Sequence, residues 1–238
     1  MNHSIDPVGA AQPREAREAI LRAAVAEFAD QGVAGARMDA IARAAGVNKA
    51  LLHYYFGSKD GLHAAVLERV FTGLLERYLT VLNGPGTPGE RLLRYFLAHF
   101  DHLTGAGAYT RLMGHEMMRA RAGDFGNVQR ISELAFKPVH ARLLEVYREG
   151  AGELRALDPD PAVLALTGAN VFYFISAPFI QAISGLEPRD PARLARQRAA
   201  LLDLAGTVLF ADPEQGRRVA ARIYAESPES PDSDGGRP

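Results

Sequence analysis

Cysteine is absent from the 238 residues, which excludes disulfides, thiol catalysis and cysteine-ligated zinc or iron-sulfur centres. An excess of charge is missing as well. The formal net charge is -1, and between Arg14 and Asp60 the basic and acidic residues nearly balance. Charge alone therefore does not mark a nucleic-acid binder, whose non-specific affinity grows with each phosphate it neutralises. The chain also lacks a Gly-x-Ser-x-Gly elbow, a phosphate loop ending in Gly-Lys-Ser/Thr, a Gly-x-Gly-x-x-Gly after a strand, and a His-Glu-x-x-His pair. No Glu-x-x-His occurs anywhere, so a carboxylate-rich metal bundle has no ligands to build from. Neither enzymatic activity nor a cofactor is expected.

The first residues, MNHSIDPVGAAQPRE, show no basic segment followed by an apolar core, so a secretory signal is not expected and a cytoplasmic location is. Residues 1–12 read as a flexible arm. The stretch 227–238 holds proline, serine, glycine and acid without a large apolar residue, and reads as a disordered tail. Between them the apolar content of 47% is ample for a small domain and a larger partner.

The most informative stretch is Met38 to Leu62, MDAIARAAGVNKALLHYYFGSKDGL. Met38, Ile41, Ala42 and Ala45 repeat at helical spacing, Gly46 supplies a turn, and Asn48 is a good cap for a second helix that breaks at Gly57. Ala42 and Ala45 are small enough for two helices to cross closely, and Val47 fills the angle between them. On the second helix Leu52, Tyr55 and Phe56 share one face; Lys49, Ala50, His53 and Tyr54 share another. This is a helix-turn-helix whose outer face suits a DNA major groove.

The pattern carried by Ile41, Ala42, Ala45, Gly46, Val47, Leu52, Tyr55, Phe56, Ser58, Lys59 and Leu62 resembles the tetracycline-repressor (TetR) family of bacterial transcription regulators. The resemblance covers residues 14 to 65. It implies an all-α fold: an N-terminal three-helix DNA-binding domain over 13–60, then a larger helical effector-binding and dimerisation domain over 61–226. It implies DNA contacts at Arg37, Asn48, Lys49, Ala50, His53, Tyr54 and Lys59. Arg37 stands where the family has Thr or Ser and His53 where it often has Tyr, so the family's phosphate contacts do not transfer unchanged.

Along the chain, a first helix is expected from Pro13 to Asp30, ended by Gly32, with Ile20, Leu21, Ala24 and Phe28 inward. Ser58 and Asp60 favour the start of a long helix from Lys59 to Leu82. The turn formers of NGPGTPG at Asn83 to Gly89 break the chain. Helices over 90–103, 109–121 and 127–148 follow, the last kinked or divided at Pro138. The stretch Ala162 to Ser184 carries no charge. Thr167, Gly168, Asn170, Ser176, Pro178, Gln181 and Ser184 nevertheless dilute it, so it reads as a two-sided interface helix and no membrane partner is expected. Helices over 191–210 and 213–225 complete the chain.

Phe96, His99, Phe100, Leu103, His115, Met118, Phe136, His140 and Tyr173 are the candidates to line a small-molecule pocket, because aromatics and adaptable methionines with a few polar groups are its usual lining. The same residues are equally the contents of a core. His99 and His102, with Asp101 between them and His115-Glu116 on the next helix, have the makings of a metal site, but the spacing is a weak signal and no bound metal is expected. In the resembled family the last two long helices pair with their mates. That implies a homodimer interface at Val171, Phe172, Ile175 and Phe179, with Leu194, Leu201 and Leu204.

The expected protein is a DNA-binding transcription regulator, a repressor by the family's commoner habit. It binds a palindromic operator as a dimer and is released by a small, mainly apolar effector. Two alternatives are a ligand-binding or scaffold dimer with lapsed DNA binding, and a metal-dependent helical enzyme.

Overall fold

The computed structural model describes residues 13–105 and 107–227. The expected arm at 1–12 lies outside the described residues, as does all of the expected tail except Ser227. Among the described residues the chain is helical throughout: α1 (Pro13–Gly35), α2 (Met38–Ala44), α3 (Lys49–Phe56), α4 (Lys59–Leu82), α5 (Pro88–Gly105), α6 (Gly107–Arg121), α7 (Gly126–Ile131), a π-helical turn (Ser132–Phe136), α8 (Lys137–Glu149), α9 (Pro159–Ile175), α10 (Ala177–Ser184), α11 (Pro191–Leu209) and α12 (Pro213–Glu226). The all-α expectation holds.

Two boundaries differ from the sequence reading and a third takes a specific form, each for a local reason. Gly32 does interrupt α1, at φ 62° and ψ 176°, but helix resumes for another turn to Gly35. At Pro138 the expected kink or division takes the form of the π-helical turn between α7 and α8. The Lys137 amide donates to the Ser132 carbonyl five residues back, and that wider turn makes room for a proline ring that cannot continue the usual bonding. The uncharged stretch at Ala162 to Ser184 is two helices, α9 and α10, bent by 64° about Ser176 with Pro178 opening the second. No single described helix is long and apolar enough to cross a membrane, although the bent pair together is.

The chain divides into two compact units. The first comprises the described residues up to Val70 together with Arg111–Gln129. Its core is Ile20, Leu21, Ala24 and Phe28 of α1, Ile41 and Ala42 of α2, Leu52 of α3, and Leu62, Val66 and Leu67 of α4. The second half of α6 belongs here too. His115 hydrogen-bonds the Ala29 carbonyl at 3.2 Å, its ring lies against Gly32, and Arg111 pairs with Asp30 at 3.1 Å.

The second unit comprises Phe71–Thr110 and the residues from Arg130 onward. Helix α5 is its centre: α8, α9, α11 and α12 all pack against it, and Leu92, Leu93, Tyr95, Phe96, Leu97, His99, Phe100 and Leu103 are buried along it. Helices α11 and α12 approach through Gly206 and Gly216, where a Cβ at the first would lie 2.5 Å from the carbonyl oxygen of the second. Only hydrogen fits between these two backbones. Arg198, almost fully buried on α11, is neutralised by two hydrogen bonds to Asp101, at 2.8 and 3.1 Å.

Alanine at Gly206 or Gly216 forces the α11 and α12 backbones apart, at a cost of about 1–3 kcal/mol. Urea denaturation should show an earlier midpoint for either variant. An unchanged midpoint would contradict the close approach.

Candidate nucleic-acid interface and buried polar cluster

Two of the eight residues of α3 are enough to define its orientation: Leu52 faces the core, fully buried, and Tyr54 stands 80% exposed on the other side. The helix is assembled by local chemistry. Gly46 takes φ 68°, a conformation that side chains disfavour. The Asn48 Oδ1 accepts from the Leu51 amide at 2.9 Å, capping the helix. At the far end Gly57, at φ 72°, closes it by donating to the His53 carbonyl, and the Ser58 hydroxyl then caps α4 by accepting from the Gly61 amide at 3.0 Å.

Lys49, Ala50, His53 and Tyr54 are all exposed, whereas Tyr55 and Phe56 are half-buried. Tyr55 meets Tyr54 edge-on at 5.3 Å, and the Arg17 guanidinium lies over the Phe56 ring at 5.4 Å. Lys49 pairs with Asp39 of α2 at 3.0 Å, so a phosphate must compete with that carboxylate for its ammonium. The His53 Nδ1 donates to the Gly57 carbonyl at 3.0 Å, which leaves Nε2 as an acceptor unless a second proton is taken up.

The remaining expected contacts have structural partners. Asn48 is engaged as the cap. Arg37 is exposed at the start of α2, with its backbone amide donating to Glu27 at 3.0 Å. Lys59 donates to the Ala34 and Ala36 carbonyls at 3.2 and 3.3 Å, where an ammonium satisfies the unpaired carbonyls at the end of α1.

The ligand candidates separate. Phe96, His99, Phe100, Leu103 and Tyr173 are buried together in the second unit. His115 and Met118 lie in the first, Met118 at 69% exposure. Phe136 is part-exposed with its ring edge-on to Phe71 at 5.6 Å. His140 is part-exposed with its Nε2 2.7 Å from the Asp160 carboxylate, so it faces α9 rather than a pocket. Among the described residues no three His, Asp or Glu side chains are placed to share a metal ion.

Around His99 the structure adds partners that the sequence reading passed over: Tyr78, Tyr95, Tyr109 and Asn170. Asn170 Nδ2 donates to His99 Nδ1 at 2.8 Å, and Tyr95 hydrogen-bonds the Thr167 side chain. The Tyr78 hydroxyl, His102 Nε2 and Asn170 Oδ1 are buried without a partner, each at a cost of about 1–3 kcal/mol. A signal existed in the sequence: Tyr95, His99 and His102 follow one helical face, and Asn170 is the only amide of α9. In the first unit a second buried pair, His63 and Glu116, stands at 3.4 Å.

Of the interface candidates, Phe172, Ile175, Phe179 and Leu204 are exposed, and Val171 and Leu194 half-buried. Leu201 is the exception. At 5% exposure it belongs to its own chain's core, because its turn of α11 faces α5 and α12. Leu164 and Ile183, outside the expected set, extend the exposed apolar stripe along α9 and α10.

A sequence profile of the bacterial regulatory proteins, tetR family, matches residues 20–66. The transcriptional repressor SCO4008 of Streptomyces coelicolor is 32% identical over 184 residues, covering 74% of this chain and 86% of its own. A crystal structure of the transcriptional regulator SCO4942 from the same species aligns with TM-score 0.57 and 29% identity over 79% of this chain and 97% of its own. A regulator from Saccharomonospora viridis in complex with choline aligns with TM-score 0.67 and 18% identity over 84% of this chain and 100% of its own.

Burial lowers His99 from 6.5 to about 4, with the neighbouring His102 adding to the shift. The unfolded chain thus takes up a proton between those values that the folded chain refuses, and stability falls as pH drops through that window. His99 alone accounts for about 3 kcal/mol over the full interval. His63 and His102, lowered to about 4 chiefly by burial, act in the same direction. Denaturation midpoints should therefore decline steadily from pH 7 to pH 4.5; a flat profile would contradict the buried, neutral histidines.

Proposed function

The chain belongs to the TetR family of bacterial regulatory proteins, and from that premise we propose a cytoplasmic, non-enzymatic, homodimeric repressor that a small effector releases from a palindromic operator. The observation that carries the reading is the open face of α3, with Lys49, Ala50, His53 and Tyr54 exposed above a buried Leu52. Lys49 and Tyr54 have donors for phosphate or base edges, and Ala50 suits a thymine methyl. Asn48 and Lys59 hold the helix in place from its two ends, and Arg37 adds an exposed cation at the start of α2.

A palindrome follows from symmetry. Two-fold related recognition helices read two-fold related half-sites, about 34 Å apart when they dock on one face of straight B-DNA. The apolar stripe of α9 and α10, with Phe172, Ile175 and Phe179, supports a second copy of the chain as its cover, joined by Leu194 and Leu204 of α11. Large apolar patches of this kind mark interaction surfaces.

The effector is taken up by the second unit, where Phe96, Phe100, Leu103 and Tyr173 offer apolar walls. Helix α4 is continuous from Lys59 to Leu82 and begins directly after α3, so a shift of its C-terminal half reaches the recognition helix. A ligand that prefers the non-binding conformer 100-fold contributes about 2.7 kcal/mol towards release.

Fluorescence anisotropy should show the DNA upstream of the protein's own gene binding on the order of 1000-fold tighter than a scrambled duplex. Lys49→Ala should weaken both and reduce the salt slope by about one. Equal affinity for every genomic sequence offered, with Lys49→Ala silent, would favour a dimer whose DNA binding has lapsed.

A further inference from the structure

The second unit buries polar side chains that packing by itself does not call for. The Tyr78 ring of α4 stands 5.1 Å from Tyr95, 5.8 Å from His99 and 6.4 Å from His102 of α5. His102 in turn meets Tyr109 of α6 edge-on at 4.7 Å. From α9, Asn170 donates to His99 Nδ1, and that bond fixes the His99 proton on Nε2. Three atoms of this one cluster have no partner: the Tyr78 hydroxyl, His102 Nε2 and Asn170 Oδ1. Native cores leave few such groups, and three of them, from three helices around the His99 and His102 rings, ask for an explanation. A bound molecule that completes the bonds is one.

The chemistry of those atoms narrows the molecule. Asn170 Oδ1 only accepts, so the ligand must bring an O–H or N–H; the Tyr78 hydroxyl and His102 Nε2 can each donate to or accept from a polar group of the ligand. Charge narrows it further. Burial keeps both histidines neutral, at about 4, and raises Tyr95 to about 12. Of the two carboxylates on α5, Asp101 is tied to Arg198 and Glu90 to Arg94 and Arg222, and the charge acting on Tyr78 and His102 is that of Arg77. A cation entering here would meet no counter-charge, and an anion would give up its hydration for one exposed arginine. The aromatic rings supply flat apolar faces beside the polar atoms.

We propose that Tyr78, His102 and Asn170 are the polar end of the effector site and select an uncharged aromatic ligand bearing a hydroxyl or N–H group. This rests on the reading of the protein as an effector-released regulator, and deepens it by naming the class of effector.

Titration calorimetry on the full chain tests it with three probes: 4-ethylphenol, 4-ethylbenzoate and choline. The neutral phenol should bind at least 10-fold tighter than either charged probe. Tyr78→Phe should weaken the phenol about 10-fold while leaving the melting temperature of the unliganded protein equal or higher, because the variant removes an unpaired buried hydroxyl. Absence of phenol binding, tighter binding of a charged probe, or a Tyr78→Phe variant that binds the phenol unchanged overturns the proposal. Operator release is scored separately by anisotropy. Phenol binding without release would sink the effector reading and leave the site's chemistry standing, whereas release by choline or 4-ethylbenzoate alone would do the reverse.

Discussion

An eight-residue helix does not hold its shape in water on its own, since nucleation is costly and few bonds repay it. Helix α3 persists because Leu52, its only fully buried side chain, seats it on the core that α1, α2 and α4 share. The side chains proposed to meet DNA inherit their direction from that one anchor: Lys49, Ala50, His53 and Tyr54 are exposed because Leu52 is not. The Asn48 cap and Gly57 stop fix the helix length, and Lys59 ties the start of α4 to the end of α1. Even so, the surface is only weakly basic, and Asp39 shares the Lys49 ammonium. Affinity has to come from two well-placed copies rather than from bulk charge.

The second unit solves a different problem. Under the proposed function it must keep one folded state while retaining a reason to accept a guest. Helix α5 is buried on nearly all sides, yet it carries His99 and His102 into that interior. The unpaired atoms around those histidines lower the stability of the fold relative to an all-apolar core. The close glycine contact between α11 and α12 works in the opposite direction, holding the rest of the unit tightly packed.

Local chemistry made the first part of the chain legible. The helix-turn-helix is written in residues a few positions apart: Gly46, Asn48, Gly57 and Ser58 each act on a neighbour, and the long helix from Lys59 to Leu82 was readable from its cap and the NGPGTPG break. What escaped was set by distant partners. His115 reads as a pocket residue by composition, but its hydrogen bond goes to Ala29, 86 positions away. Likewise His140 meets Asp160 and Leu201 turns inward, choices that helical periodicity cannot make because they depend on which helix packs beside which. The bend at Ser176 was foreshadowed by Pro178, but the lack of charge in that stretch drew attention to its length instead.

Everything proposed about the operator assumes that two recognition helices are held in register by the apolar stripe of α9 and α10. Sedimentation velocity of the wild type and of a Phe172→Glu, Phe179→Glu variant, each with and without operator DNA, tests that assumption most directly. The account predicts a wild type at twice the mass of one chain, and a variant that keeps its helical content, sediments at the mass of one chain and no longer discriminates the operator. A wild type that is monomeric yet still selects its operator, or a variant that remains dimeric, would contradict it.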